Sequence, residues 1–209
     1  RLKRAGISVG IIKRGETPAG SSQLASVLSE PVSEIVEEML RESDNDVAEV
    51  LAHLVGEKTV GEGSFAGGAR ATKLILDQNG ISTRNLNLFD GSGLSQQNKM
   101  TSTTVAQVLT KMVRGDKSQW AAIANGLPVA GRTGTLDTRF DTKRTQAGAG
   151  VVRAKTGSLT GVSSLAGTVL DKSGRLLVFV MMGNKVGSLN SARDSMDLIA
   201  SKLAKCGCL

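Results

Sequence analysis

From Val151 onward the chain carries three runs of β-branched and aliphatic residues, Val151-Val152, Val162 to Leu170 and Leu176 to Met182, and nothing else in it narrows the possible folds so far. Short apolar runs bounded by turn residues read as strands. Asp171-Lys172-Ser173-Gly174 supplies a tight turn between the last two, which pair as a hairpin. Gly161, behind Ser158-Leu159-Thr160, lets the first run turn back in the same way. A three-stranded antiparallel meander is therefore expected, and such a sheet needs helices to cover it.

The preceding residues supply them. Val32, Ile35, Val36, Met39 and Leu40 repeat at helical spacing behind Ser29-Glu30-Pro31, read as a cap and a first-turn proline. Val47, Val50, Leu51, Leu54 and Val55 form a second helix, with Asp44 and Asp46 at its positive end and Gly56 at its expected C-terminus. A third helix is expected over about Phe65 to Gln78, stopping at Gly80. A fourth carries Val105, Val108, Leu109, Met112 and Val113 before Gly115. Trp120 is expected to anchor a helix in the core, and Met196, Ile199 and Leu203 place a last helix over Asn190 to Ala204. The fold class is α+β: helices packed on an antiparallel sheet, in one domain as far as a length of 209 residues decides.

Residue counts then remove several kinds of chemistry. One histidine, His53, lies inside the second helix, and the two cysteines, Cys206 and Cys208, lie at the tail. This set cannot furnish a zinc site in the body of the chain, nor a nucleophile–imidazole pair unless His53 is the base. His53 reads as structural or as a surface residue. A Cys206–Cys208 disulfide spans too short a stretch to form without strain, so free thiols or pairing with another chain are expected. No phosphate-cradling glycine motif occurs. The net charge is +7, but no run of five or six basic residues appears, and four Phe, one Trp and no Tyr make a poor base-stacking platform. A nucleic-acid partner is not expected. The first residues, Arg1-Leu2-Lys3-Arg4-Ala5-Gly6, lack the apolar core of a signal peptide, and no apolar stretch approaches a membrane span.

Two short motifs remain. Ser43-Asp44-Asn45 lies between the first two helices, where Ser43 with Asp46 three residues on also fits a capping box. Lys155-Thr156-Gly157-Ser158 lies at the end of the first strand. Phe89 reads as core, and Asp90-Gly91-Ser92-Gly93 as a turn beneath a cleft floor.

In this order the two motifs match the second and third motifs of the penicillin-interacting serine peptidases. With Leu2-Lys3-Arg4-Ala5-Gly6-Ile7, Phe89-Asp90-Gly91-Ser92-Gly93-Leu94-Ser95, Leu127-Pro128-Val129-Ala130-Gly131-Arg132-Thr133-Gly134-Thr135-Leu136 and Ala154-Lys155-Thr156-Gly157-Ser158-Leu159-Thr160-Gly161-Val162, the chain resembles the S13-type D-alanyl-D-alanine carboxypeptidases. That group includes the class C low-molecular-mass penicillin-binding proteins. The resemblance implies a transpeptidase-like domain and a serine carboxypeptidase or endopeptidase of peptidoglycan stem peptides. Such an enzyme works through an acyl-enzyme, is acylated by β-lactams, needs no cofactor or metal, and lies outside the cytoplasmic membrane. It implies Ser43 as proton relay toward the leaving amine and Lys155 as the positive potential beside it. Asn45 would hold the substrate backbone. Thr156 and Ser158 would offer hydroxyls to the substrate carboxylate, the Ser158 amide half of an oxyanion hole, and Gly157 an open strand edge.

Two departures accompany the resemblance. No serine is followed by Lys three residues later, so the family's Ser-x-x-Lys nucleophile motif is absent. In the family that motif lies near the N-terminus, separated from Ser-Asp-Asn by large inserted domains. The chain is therefore expected to be the C-terminal part of a split domain, inactive alone and completed by the N-terminal part. A non-catalytic penicillin-binding or scaffold module without a nucleophile stays open as the alternative. Where many members place an arginine after Ser-Gly-Leu-Ser, this chain reads Gln96-Gln97-Asn98, which would suit an amidated side chain on the peptide.

Overall fold

The computed structural model describes residues 2–115 and 117–207. Residues up to Glu30 form a unit of their own; among its described residues there is one 3-10 turn over Leu2–Ala5, no other helix or strand, and no buried residue. The unit from Pro31 onward carries helices α1 (Val32–Glu42), α2 (Asn45–Val60), α3 (Phe65–Gln78), α4 (Ser102–Arg114) and α5 (Lys117–Gly126). Strands β1 (Val152–Leu159), β2 (Val162–Leu170) and β3 (Leu176–Asn184) follow, then α6 (Leu189–Lys205).

The strands form the expected meander in the order β1-β2-β3, with Lys155 opposite Ala166 and Leu165 opposite Met181. Both connections are tight turns. Asp171 fixes the second: its carboxylate accepts from the Ser173 and Arg175 amides at 2.8 and 2.9 Å and from the Arg175 guanidinium. Those bonds, the Arg175 amide foremost, hold the carboxyl below its ordinary value.

Because side chains alternate along a strand, β2 serves two cores at once. On one face Leu165 and Val169 pack with Val152, Ala154, Phe179 and the α6 residues Met196, Ala200 and Ala204. On the other, Ala166, Val178 and Val180 pack against Leu109 and Met112 of α4 and against Leu127, Ile123 and Trp120. Trp120 thus anchors the second core, as its sequence context suggested.

Local readings needed correction where a long-range contact decides the geometry. Helix α2 does not end at Gly56 but at Gly61, which caps it with φ +70°. Gly56 instead lies where α3 crosses: a Cβ there would come within 2.5 Å of the Glu62 carbonyl oxygen and 2.6 Å of the Gly68 nitrogen. Ser43 does not cap α2. Asp44 does, accepting from the Val47 amide at 2.9 Å. Pro31 is itself the N-cap of α1, and the Ser29 hydroxyl bonds the Glu30 carbonyl instead. Val50 and Leu54 are exposed, and so is Phe89, at 42 %. Cys206 is disulfide-bonded and not a free thiol; Cys208 lies outside the described residues. Among the described residues no helix is long and apolar enough to cross a membrane.

Candidate active site

The site is assembled around one end of β1. This strand is at the edge of the sheet, and among the described residues its outer side is bridged only at its start, where the Ala154 amide donates to the Pro128 carbonyl and the Val152 carbonyl accepts from the Ala130 amide. By the period-two geometry of a strand, Thr156 and Ser158 turn their own N–H and C=O groups the same way, toward an edge that no further backbone hydrogen bond occupies among the described residues. Gly157 is paired with Ser164, and a Cβ there would meet the Ser164 hydroxyl, which would have to rotate away.

Lys155 reaches back to the junction of α1 and α2. Its Nζ donates to Ser43 Oγ at 2.6 Å, across a sequence separation of 112 residues, and to the Thr156 carbonyl at 3.1 Å. Ser43 holds φ +61° and ψ +46°, a left-handed conformation uncommon for a residue with a Cβ. Such conformations persist where the surroundings impose them, and they cluster at functional sites. Among the described residues no carboxylate pairs with Lys155. Burial without a counter-charge pushes its ammonium below the ordinary value near 10.5.

A cleft of about 830 Å³ opens between these elements, lined by Ser43, Asn45, Lys155, Thr156, Gly157 and Ser158. All six expected site residues thus meet in one cavity. Asn45, in the first turn of α2, is exposed to it. The opposite wall is the loop after Phe89. Asp90 accepts from the Gly93 and Ser95 amides and from Asn98, while Glu49 of α2 accepts from the Gly91 and Ser92 amides at 3.0–3.1 Å. The expected supporting turn is therefore pinned to the helix that follows Ser43. His53 stays out of the cleft: its ring packs edge-on to Phe65, 4.9 Å between centroids, with Nε2 3.5 Å from Glu49 Oε1 and outside hydrogen-bond geometry.

Three residues of the site were not singled out by sequence. Thr135 accepts a hydrogen bond from Thr156 Oγ1 at 2.9 Å, so it orients that hydroxyl. It stood within a motif, but nothing local assigned it a role. Arg193 of α6 donates to Ser158 Oγ at 3.1 Å. Arg139 forms a two-pronged pair with the buried Asp197, at 2.6 and 3.1 Å, and joins the loop after α5 to α6 along the cleft. Burial pushes the Asp197 carboxyl up, against the lowering pull of Arg139.

Helices on both faces of this small sheet, with a serine–lysine contact at the strand end, define a fold of the penicillin-binding-protein type. Penicillin binding protein 4 from Haemophilus influenzae, solved with a β-lactam, superposes with a TM-score of 0.78 at 31% identity, over 97% of this chain and 47% of that one. Residues 1–204 match the model of the D-Ala-D-Ala carboxypeptidase 3 (S13) family, and the chain belongs to that family. Similar curated proteins include carboxypeptidase DacB of Mycolicibacterium smegmatis, 40% identical over 90% of this chain and 41% of its own length. Another is the D-alanyl-D-alanine carboxypeptidase of Actinomadura sp., 35% identical over 98% and 38%. The chain thus spans about two fifths of the length of these curated relatives.

Proposed function

We infer that this chain forms much of the active site of a serine-type D-alanyl-D-alanine carboxypeptidase or endopeptidase acting on peptidoglycan stem peptides outside the cytoplasmic membrane. The observation that carries this reading is the 2.6 Å contact from Lys155 Nζ to Ser43 Oγ, made by a half-buried lysine with no carboxylate partner among the described residues. An uncompensated cation beside a hydroxyl lowers the cost of moving a proton through that hydroxyl. Ser43 then relays a proton to the leaving amine, and Asn45 holds the peptide backbone. The peptide lies along the open edge of β1 as an added strand, with its scissile carbonyl at the Ser158 amide. β-Lactams acylate the same site.

The nucleophile of this chemistry belongs to a Ser-x-x-Lys motif, which the 209 residues do not contain. The part of such a protein that this chain does not span supplies it, and the chain alone is inactive. Labelling with a fluorescent penicillin tests the reading: the intact protein from its native source becomes labelled while this 21.7 kDa chain stays dark. An intact protein that takes no label would overturn it in favour of a module without a nucleophile, and a labelled serine within this chain would overturn the division of the site.

A further inference from the structure

The loop from Asn87 to Lys99 is bonded within itself. Its ends form a bridge in which the Asn87 and Lys99 amides each donate to the other's carbonyl at 2.8 Å. Inside it Asp90 gathers the Gly93 and Ser95 amides and the Asn98 side chain, and Asn98 Oδ1 in turn accepts from the Phe89 amide at 2.8 Å. The shape of the loop is therefore its own, while its place in the fold depends on what ties it down.

Glu49 is that tie. The successive N–H groups of Gly91 and Ser92 converge on one point, the kind of backbone concavity that binds anions, and the Glu49 carboxylate fills it at 3.0–3.1 Å. Hydrogen bonds assisted by a full charge are the strong ones. Among the described residues no lysine or arginine pairs with this carboxylate, and His53 Nε2 lies 3.5 Å from it without forming a hydrogen bond. Its bonding therefore goes into the loop. The loop also lies directly on α2: a Cβ at Gly91 would come within 2.3 Å of the Ala52 Cβ and 3.0 Å of the Ala48 carbonyl oxygen. Glu49 follows Asn45 by four residues, about one turn, so the same stretch of helix carries Asn45 and seats the loop. Beyond that seat, Ser92, Gly93 and Leu94 enter the cleft whose other wall holds Lys155 and Ser158.

We propose that Glu49 is a positioning residue for the peptide: by seating the loop on the helix that carries Asn45, it sets the width of the groove between that loop and the open edge of β1. The assignment rests on the peptidase reading. Ser43, Lys155 and Asn45 have supports of their own, the 2.6 Å bond from Lys155 to Ser43 and the Asp44 cap of α2, and neither passes through Glu49. Losing Glu49 therefore loosens the hold on the peptide while the reacting groups stay in place, so that binding suffers and turnover does not.

The test measures kcat and KM of the intact protein on a peptide ending in D-alanyl-D-alanine, together with amide hydrogen exchange. In Glu49→Ala, KM rises on the order of 10-fold, the size of a lost charge-assisted contact, while kcat stays within about threefold. Exchange quickens over residues 90–95 and keeps its wild-type rate in α1 and β1. Glu49→Gln, which keeps the length and one acceptor oxygen, recovers part of the lost binding. It carries the comparison if the alanine variant fails to fold, which a thermal melt reports. An unchanged KM, a kcat that falls as far as binding does, or wild-type exchange over the loop overturns the assignment while leaving the peptidase reading intact. A wild-type protein that does not cleave the peptide overturns both.

Discussion

At the scale of single residues, the proposed chemistry turns on Lys155 keeping its proton while half-buried. Its ammonium is held below the ordinary value near 10.5, so it loses its charge at a lower pH than a surface lysine. If that charge drives the reaction, kcat/KM of the intact protein falls on the alkaline side below pH 10.5. Lys155→Arg, which cannot lose its proton, removes that limb at a reduced rate. The pH–rate profiles of the two proteins check this, and an unchanged alkaline limb in the arginine variant refutes it. The sign for stability is the reverse. Between the depressed value and 10.5 the unfolded chain holds a proton that the folded chain has released, so the fold gains stability as pH rises through that window. On the proposed reading, Ser43→Ala is expected to lower kcat/KM on the order of 10²- to 10⁴-fold and to slow penicillin labelling as well.

At the scale of elements, the crossing of α2 and α3 depends on glycines lying backbone to backbone. Gly56→Ala would press a methyl group onto the Glu62 carbonyl and the Gly68 nitrogen, neither of which can move like a side chain. A stability loss of about 1–3 kcal/mol is expected, checked by denaturant unfolding of the intact protein; a neutral result would mean the crossing is looser than described. The same glycine shows what was legible in the sequence. The periodic residues located six helices and three strands, because amphipathic spacing and turn residues are local signals. Gly56 was misplaced because a glycine admitting a neighbouring helix and a glycine ending a helix look alike in one dimension. Ser43 as a cap failed for a related reason: Asp44 offers the same oxygen one residue later, and Ser43 turns left-handed toward β1. That six residues line one cleft was legible because two motifs carried them. Arg193 was not, since its contact with Ser158 exists only where α6 folds back beside β1.

At the scale of the molecule, β2 joins two cores, and Arg139–Asp197 ties the loop after α5 to the last helix. Asp197→Asn leaves a largely buried guanidinium without its counter-charge and is expected to cost about 3–5 kcal/mol, read as a lowered unfolding midpoint.

The alternation of side chains along β1 has a stereochemical consequence. A peptide whose N–H and C=O groups meet those of Thr156 and Ser158 sends successive substituents to opposite walls, one toward α6 and the other toward Ser43. Inverting a single Cα in place exchanges its hydrogen with its side chain, so a methyl accommodated by one wall is turned against the other. The edge of the strand is in this way a chiral ruler: mirror-image residues that form the same backbone hydrogen bonds are told apart by which wall their methyl group meets.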